Sequence, residues 1–237
     1  MSYDTIFISD VHLGTDRCDI DKFLNFLDTI KTKKLIMIGD IIDIHCLEKY
    51  NTNWYSKHTQ AIHKLIELSK SGVEIIYILG NHEETARRYF QKKELKIGNI
   101  TVCNHHIHID KNYRKFLCIH GDQCSQCSSG SWKQYFLNMG YETVTPLNNF
   151  LRKNFNISLV NFLKNTKRGE EYITIFENDV INYAKKTGYY HGVICGHIHH
   201  LNSREINKLT YMCCGDWVDT CSYITELDGN YALLNHE

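Results

Sequence analysis

The sequence predicts an α/β fold, and three observations support this prediction. Apolar runs of strand length alternate with segments whose apolar residues recur at helical spacing. Several of the strand-like runs end in polar side chains of the kinds that bind metal ions. The 237 residues are enough for one sizeable core, so we expect a single domain that spans residues 1–237.

Composition narrows the range of functions. Lysine and arginine together number 27, as do aspartate and glutamate, so the charge balance does not indicate a nucleic acid partner. The sequence has no apolar run of membrane-spanning length and no basic and apolar leader, which predicts a cytoplasmic protein. We expect the ten cysteines to be reduced thiols that mostly serve as small apolar side chains.

The first strand-like run, residues 5–8, leads to two side chains of metal-ligand type. Asp10 and His12 lie two apart, so on an extended backbone they project to the same side and can hold one ion together. Taken alone, the stretch fits an ordinary turn with a capping aspartate and a loop histidine equally well. A helical pattern of apolar residues follows over residues 19–31.

The next two strand-like runs repeat this arrangement. The run at residues 34–38 ends in Asp40, and a helical pattern over residues 54–71 separates it from a third run. That run, residues 74–79, ends in Asn81. Because open α/β sheets build their sites at the carboxyl ends of their strands, we expect these side chains to meet.

Shorter strand-like runs occupy the middle of the chain. They cover residues 100–103 and 116–119, and the second ends in His120. Three histidines between them lack any glycine or carboxylate context, so we expect ordinary surface residues there. They are His105, His106 and His108.

A segment of different character follows at residues 125–169. It is basic, with Glu142 as its one acidic residue, and its apolar residues recur at helical spacing. The apolar positions are Leu147, Phe150, Leu151, Phe155, Leu159, Phe162 and Leu163. They fit either amphipathic helices packed on the core or a lid whose apolar face meets an acyl chain or a membrane and whose basic face meets phosphate.

The last part of the chain returns to strands. A helical pattern over residues 170–187 precedes the run at 192–195, which leads to His197 and His199, again two apart. Further strand-like runs close the chain at residues 202–206, 209–213, 221–227 and 231–234. A polar loop around a tryptophan, residues 215–219, lies between two of them.

Seven of these side chains form a ligand set of carboxylates, an amide and imidazoles without thiolate. They are Asp10, His12, Asp40, Asn81, His120, His197 and His199. Such a set suits Mn, Fe or Zn. Asp40 follows the strand between the other two early ligand-bearing strands, so it is the natural bridge between two ions. Two ions about 3.5 to 4 Å apart can activate a water for an in-line phosphoryl displacement.

These motifs resemble the five signature blocks of the calcineurin-like metallophosphoesterases, in family order. The blocks are Asp10-Val11-His12, Gly39-Asp40-Ile41-Ile42-Asp43, Gly80-Asn81-His82-Glu83, His120 and Gly196-His197-Ile198-His199. The resemblance implies a four-layer α/β/β/α sandwich and two divalent metal ions, and we expect these ions to be Mn²⁺. It implies one ion on Asp10, His12, Asp40 and His199, and the other on Asp40, Asn81, His120 and His197.

Within this superfamily the chain is most similar to the bacterial UDP-2,3-diacylglucosamine hydrolase group. The similarity lies in residues 7–14, in His120-Gly121-Asp122, in the insertion and in residues 215–219. That group releases UMP from an acylated sugar nucleotide in lipid A synthesis beneath a helical lid. It implies that the insertion holds acyl chains and contacts the cytoplasmic face of the inner membrane. We expect substrate contacts from Asn81, His82, Lys164, Lys167, Arg168 and His197.

Two positions depart from the hydrolase group. His82 stands where well-known members carry arginine, and Glu83 stands where aspartate is usual. His82 matches the general phosphoesterase pattern, which makes it the candidate acid or transition-state stabiliser. Glu83 is a candidate to orient the His82 ring.

Three functions remain open at this point. One is the lipid-linked pyrophosphate hydrolase just described. Another is a generic metal-dependent phosphodiesterase or phosphatase acting on a nucleotide or a phosphoprotein. The third is a non-catalytic scaffold with the same fold, which the complete ligand set disfavours. The neutral net charge argues against a nucleic acid substrate.

Overall fold

The computed structural model of the protein describes residues 2–50, 52–90, 93–124, 164–188 and 190–237. The strands are β1 Tyr3–Ile8, β2 Thr32–Ile38, β3 Glu74–Ile78, β4 Leu95–Ile97, β5 Ile100–Cys103, β6 His106–Ile109, β7 Lys115–Cys118, β8 Gly192–Cys195, β9 Asn202–Ile206, β10 Leu209–Cys213, β11 Ser222–Leu227 and β12 Asn230–Asn235. The helices in these residues are α1 Ile20–Thr29, α2 Ile44–Tyr50, α3 Ser56–Lys70, α4 Glu84–Tyr89 and α5 Lys167–Thr187.

The strands form two sheets. The first has the order β12-β11-β1-β2-β3-β5-β4, and the second has the order β6-β7-β8-β10-β9. In the first sheet β1, β2, β3 and β5 are parallel, and in the second β7, β8 and β10 are parallel. The carboxyl ends of the parallel strands therefore meet at one edge of each sheet, which is where α/β proteins place their sites.

The sheets face each other across an apolar core. Phe7 and Ile36 from the first sheet pack with Phe116 and Ile194 from the second. Helices α1 and α3 cover the outer face of the first sheet, and α5 covers the outer face of the second. This arrangement confirms the four-layer α/β/β/α sandwich.

Helix boundaries follow local hydrogen-bonding chemistry. Asp19 caps α1 by accepting the backbone N–H of Lys22, and Thr166 caps α5 by accepting that of Gly169. Residues 164–169 of the predicted insertion are described, and α5 begins within them at Lys167. Residues 125–163 of the insertion, with its seven apolar positions, lie outside the described residues. No described helix is long and apolar enough to cross a bilayer.

The histidines between β5 and β7 differ from the prediction. His105 is exposed, but His108 is only 3% exposed, so the expectation of a surface residue is wrong there. His108 lies on β6, whose alternation turns it towards the opposite sheet. There its Nε2 lies 3.6 Å from Oε2 of Glu226 on β11.

The buried cysteines agree with the expectation of reduced, apolar thiols. Cys103, Cys118, Cys195 and Cys213 carry free thiols and are at most 2% exposed. Burial raises the pKa of the Cys103 thiol to about 12, so this side chain stays protonated and behaves as a small apolar group.

The inter-sheet core provides a test of the sandwich. Phe116 lies between the sheets and is 1% exposed. The Phe116→Ala variant should lower the free energy of unfolding by about 3 to 5 kcal/mol, because the smaller side chain leaves a cavity. Tyr113→Ala is the matched control, since Tyr113 is 83% exposed and its loss should change stability by less than about 0.5 kcal/mol. Urea unfolding of both variants measures the difference. Equal stabilities would contradict the inter-sheet position of Phe116.

Candidate metal centre

The predicted ligands lie where parallel strands end. Asp10 and His12 follow β1, Asp40 follows β2, and Asn81 follows β3 in the first sheet. His120 follows β7, and His197 and His199 follow β8, in the second sheet. The structure therefore brings residues from both sheets to one end of the sandwich, where their ligand atoms form close groups.

One group consists of Asp10, His12 and His199. Their ligand atoms lie within 4.8 Å of one another. His199 Nε2 is 3.2 Å from Asp10 Oδ1 and 3.4 Å from His12 Nε2. Two imidazole nitrogens and a carboxylate oxygen thus converge on one small space.

A second group consists of Asp40, His120 and His197, again with ligand atoms within 4.8 Å of one another. His120 Nε2 lies 3.2 Å from Asp40 Oδ2. The same nitrogen lies 3.1 Å from the amide oxygen of Asn81. The structure therefore adds Asn81 to this group, and Asp40 stands beside both His120 and the residues that follow β3.

The backbone of these residues is unusual. Asp10, His12, Asp40, His197 and His199 have φ between 52 and 74°, in the left-handed region. This conformation costs a residue with a side chain about 1 to 2 kcal/mol. Such strain clusters at functional sites, where the surrounding structure over-determines it. Here five of the seven predicted ligands carry it.

Glycines make room for the ligands. A Cβ on Gly80 would lie 2.1 Å from Asp40 Oδ1, and one on Gly39 would lie 2.3 Å from His120 Nδ1. A Cβ on Gly196 would lie 2.5 Å from Asp10 Oδ2. The glycines of three sequence blocks are therefore explained by close approach of the ligands to the neighbouring backbone.

Hydrogen-bond partners of Nδ1 fix the orientation of the His12 and His120 rings. His12 Nδ1 lies 2.9 Å from Asp43 Oδ2, and His120 Nδ1 lies 3.0 Å from the carbonyl oxygen of Ile38. When Nδ1 donates a proton to such an acceptor, Nε2 keeps its lone pair for a metal. Both rings present Nε2 to the ligand groups described above.

These side chains fit a divalent cation. Asp10 Oδ1 is buried and accepts no hydrogen bond of good geometry from the described part of the chain, although His199 Nε2 lies 3.2 Å from it. The Nε2 atoms of His12 and His199 face each other at 3.4 Å, where two N–H groups would repel each other. Both nitrogens can instead donate lone pairs to one cation. The donor set contains oxygen and nitrogen only, which suits Mn, Fe or Zn.

His82 lies at the rim of the site. Its backbone N–H donates to Asp40 Oδ1 at 2.9 Å, and its Nδ1 lies 2.7 Å from Asp43 Oδ1. Its Nε2 is 3.8 Å from Asp40 Oδ2, and the side chain is 19% exposed. Burial acts to lower the pKa of His82, but the charge of Asp40 and the hydrogen bond to Asp43 outweigh it and raise that pKa to about 11. These two contacts favour the protonated form of the ring, which is the form that an acid requires.

The expectation that Glu83 orients His82 is wrong. The Glu83 carboxylate accepts the backbone N–H groups of Asp40, Ile42 and Gly80 at 2.9, 2.9 and 2.7 Å. It also accepts the hydroxyl of Tyr77 at 2.8 Å. Glu83 therefore braces the turn that carries Asp40, and its longer side chain reaches these amides. Burial, followed by the charge of Asp40, raises the pKa of Glu83 to about 7.

Asp43 takes the role that was assigned to Glu83, and sequence reasoning missed it. Its buried carboxylate joins His12 to His82, with one oxygen on each ring. The signal was present in the Gly39–Asp43 block, where Asp43 follows Asp40 by three residues. Only the turn after β2 shows which rings this carboxylate reaches.

The basic residues predicted to bind substrate have different positions. Lys164 donates from its ammonium group to the carbonyl oxygen of His199, at the edge of the site. Lys167 and Arg168 are exposed in the first turn of α5. The structure therefore brings Lys164 to the metal centre, while Lys167 and Arg168 lie on the surface of the helix that follows it.

Comparison with known proteins identifies the class. The calcineurin-like phosphoesterase family matches residues 4–201, and the chain belongs to this family. It is a phosphoesterase of the metallophosphoesterase type, a class that works with divalent metal ions.

Individual relatives are more distant. UDP-2,3-diacylglucosamine hydrolase from Hahella chejuensis (strain KCTC 2396) is 24% identical over 243 residues, which cover 98% of this chain and 96% of that protein. A novel archaeal phosphodiesterase is 13% identical with a TM-score of 0.46, covering 98% of both chains. A Vps29 single mutant from Entamoeba histolytica is also 13% identical with a TM-score of 0.46, covering 98% of this chain and 99% of that chain. Neither structure bears on the activity of this protein.

The glycine contacts predict the effect of one added methyl group. Gly80→Ala should greatly weaken Mn²⁺ binding, because the new Cβ would displace the Asp40 carboxylate. Gly98→Ala is the control, because a Cβ on Gly98, unlike one on Gly80, would meet no atom within 4 Å. Since Gly98 has a φ of +59°, this variant should cost only about 1 to 2 kcal/mol of stability and leave Mn²⁺ binding unchanged. Isothermal titration with Mn²⁺ measures both variants. Similar Mn²⁺ affinities in the two would contradict the close packing around Asp40.

Proposed function

We propose that this protein is a two-metal hydrolase that cleaves the pyrophosphate of an acylated sugar nucleotide such as UDP-2,3-diacylglucosamine, releasing UMP. The observation that carries the two-metal part is the position of Asp40. Its carboxylate adjoins His120 at 3.2 Å and His82 at 3.8 Å, and its backbone carbonyl accepts the N–H of His12, a member of the other ligand group, at 2.9 Å. Asp40 is therefore linked to both ligand groups, as a shared bridge must be.

The family resemblance implies the two ligand sets, and the close groups of ligand atoms support them. Asp10, His12 and His199, which form one such group, would hold one ion together with Asp40. Asn81, His120 and His197 would hold the other, also with Asp40. When bound, two such ions supply an activated water and stabilise the attacking and leaving oxygens of phosphoryl displacement. The buried side chains position this chemistry away from bulk water.

His82 acts as the acid in this proposal. Its partly exposed ring is held by Asp43 on its Nδ1 side, so Nε2 is the nitrogen that can face a substrate. During hydrolysis the bond between phosphorus and the leaving oxygen breaks, and that oxygen needs a proton or a hydrogen bond. His82 is placed to supply it, with Asn81 and His197 beside the same phosphoryl group.

The proposal of a lipid-linked substrate is supported by a relative and by composition, and not by the metal ligands. The full-length relative from Hahella chejuensis is named for this hydrolysis, although it is only 24% identical. The basic and apolar composition of residues 125–169 suits acyl chains and phosphate. Lys164 at the site edge is placed to meet a phosphate, and Lys167 and Arg168 extend this basic surface towards anionic headgroups at the cytoplasmic face of the inner membrane.

A generic phosphodiesterase or phosphatase acting on a nucleotide or phosphoprotein is the second candidate. His82 favours it, because histidine at this position matches the general phosphoesterase pattern where the hydrolase group carries arginine. The same two-metal site serves both candidates, so the substrate decides between them.

Two substitutions separate metal binding from proton transfer. Asp40→Asn should lose bound metal and activity together, because the bridge serves both ions. His82→Ala should keep two ions and lower kcat on bis(4-nitrophenyl) phosphate by on the order of 10² to 10⁴, the range of a positioned acid. Elemental analysis and steady-state rates measure both effects, with chelator-treated wild-type protein as the inactive reference. Full activity of verified metal-free protein would reject the two-metal mechanism.

The substrate class can be tested through the insertion. Phe150→Ser combined with Phe162→Ser should lower kcat/KM on UDP-2,3-diacylglucosamine while sparing bis(4-nitrophenyl) phosphate, because each acyl methylene left unburied forfeits about 0.8 kcal/mol. A thermal melt of the variant is the control for folding. If both rates fall with the melting temperature, these residues belong to the core and the lipid-linked substrate loses its support.

A further inference from the structure

The loop between β10 and β11, residues 214–221, is not explained by the family match. It lies beyond residues 4–201, yet it reaches the metal centre. Asp216, Trp217 and Gly215 are its central residues, and the first two are fully buried. A buried carboxylate needs compensation, so Asp216 requires a physical explanation.

One oxygen of Asp216 shapes the loop itself. Oδ1 accepts the backbone N–H groups of Val218 at 2.8 Å, Asp219 at 2.5 Å and Thr220 at 3.1 Å. The backbone N–H of Asp216 in turn lies 3.3 Å from the hydroxyl oxygens of Thr220 and Ser222. These bonds fix the direction of the carboxylate and leave Oδ2 free to point elsewhere.

The loop is also fastened to the strand that carries the first ligands. The backbone N–H of Trp217 donates to the carbonyl oxygen of Asp10 at 3.0 Å, and the hydroxyl of Ser9 donates to the carbonyl oxygen of Gly215 at 3.2 Å. The Trp217 ring packs against Phe23 at 5.0 Å and Phe26 at 4.5 Å between ring centroids. The loop therefore has little freedom relative to Asp10, whose strained backbone it holds.

The other oxygen of Asp216 faces a predicted metal ligand. Oδ2 is buried, has no hydrogen-bond partner among the residues that the structure describes, and lies 3.7 Å from Nδ1 of His199. The opposite nitrogen of that ring, Nε2, lies 3.2 Å from Asp10 Oδ1. The arrangement repeats that of His12 and His120, whose Nδ1 atoms face Asp43 and the carbonyl oxygen of Ile38 while Nε2 faces the site.

We propose that Asp216 is a positioning residue for one of the two metal ions. Its Oδ2 faces Nδ1 of His199 across 3.7 Å, and its negative charge stabilises the proton on that nitrogen, which keeps the lone pair on Nε2 directed at the ion shared with Asp10 and His12. Through Trp217 the same loop holds Asp10, so a segment outside the matched family region controls two of the three side chains of that ligand group. This proposal rests on the two-metal site proposed above.

The substitution Asp216→Asn isolates this role. Asparagine keeps an oxygen for the three backbone N–H groups of the loop and replaces Oδ2 by an NH₂ group, which has no negative charge to stabilise the proton of His199. In Mn²⁺ titrations followed by calorimetry and by EPR spectroscopy, one of the two ions should bind about 10- to 100-fold more weakly. The other ion should keep its wild-type affinity, and the melting temperature of the metal-free protein should not fall.

Asp110→Asn is the matched control. Asp110 is likewise a buried carboxylate that shapes a turn, with Oδ1 accepting the N–H groups of Asn112 and Arg114, both at 2.9 Å. It contacts Arg114 and Tyr231 on the opposite side of the sandwich core. This variant should lower the melting temperature and leave both Mn²⁺ affinities at their wild-type values.

A double variant tests the link to His199. In a His199→Ala background, Asp216→Asn should cause no further loss of Mn²⁺ affinity, because its partner is already gone. Wild-type affinity for both ions in Asp216→Asn would overturn the proposal, as would an equal additional loss in the His199→Ala background. A wild-type protein that binds fewer than two Mn²⁺ ions would instead contradict the proposed two-metal function itself.

Discussion

The burial of two carboxylates at adjacent strand ends is the constraint on which this structure depends. Asp10 and Asp40 are at most 2% exposed, and a charge in such a place is costly unless it is compensated. Burial acts to raise the pKa of Asp40, but His120 and His82 hold it well below its usual value. The imidazoles that compensate these charges come from both sheets. The sandwich and the site therefore depend on each other, because neither sheet alone supplies the compensation.

Local strain and outer hydrogen bonds make this arrangement possible. Left-handed backbone at the ligands turns their side chains inward, and the surrounding contacts hold that backbone in place. Glu83 binds the amide of Asp40, and the tryptophan of the β10–β11 loop binds the carbonyl oxygen of Asp10. Asp43 joins His12 to His82. Three of the five strained ligands, Asp10, His12 and Asp40, are thus held by a second residue from another part of the chain, which limits their movement.

The ligand residues at the strand ends and the residues around them have different roles in the proposed function. The residues that converge at the strand ends serve any phosphoryl transfer of the metallophosphoesterase type, so they define the class. Among the described residues, Lys164 beside His199 and the start of α5 lie at the edge of that site, and in the proposed function they contribute to substrate choice. His82, whose ring is 19% exposed, stands between these two regions. In the proposed function it serves as the acid, and its identity distinguishes this chain from the hydrolase group that it otherwise resembles.

The sequence by itself determined the order of strands and helices and the identity of the candidate ligands, because alternation, helical spacing and strand-end motifs are local patterns. The resemblance of its motifs to those of a known family also predicted the four-layer fold. The tertiary structure decided which distant side chains meet. Asp43 and not Glu83 lies against His82, and His108 is buried against Glu226 instead of lying on the surface. Such pairings depend on sheet order, on the facing of each strand and on left-handed turns. These features bring together residues that are far apart in the chain, and no local pattern encodes them.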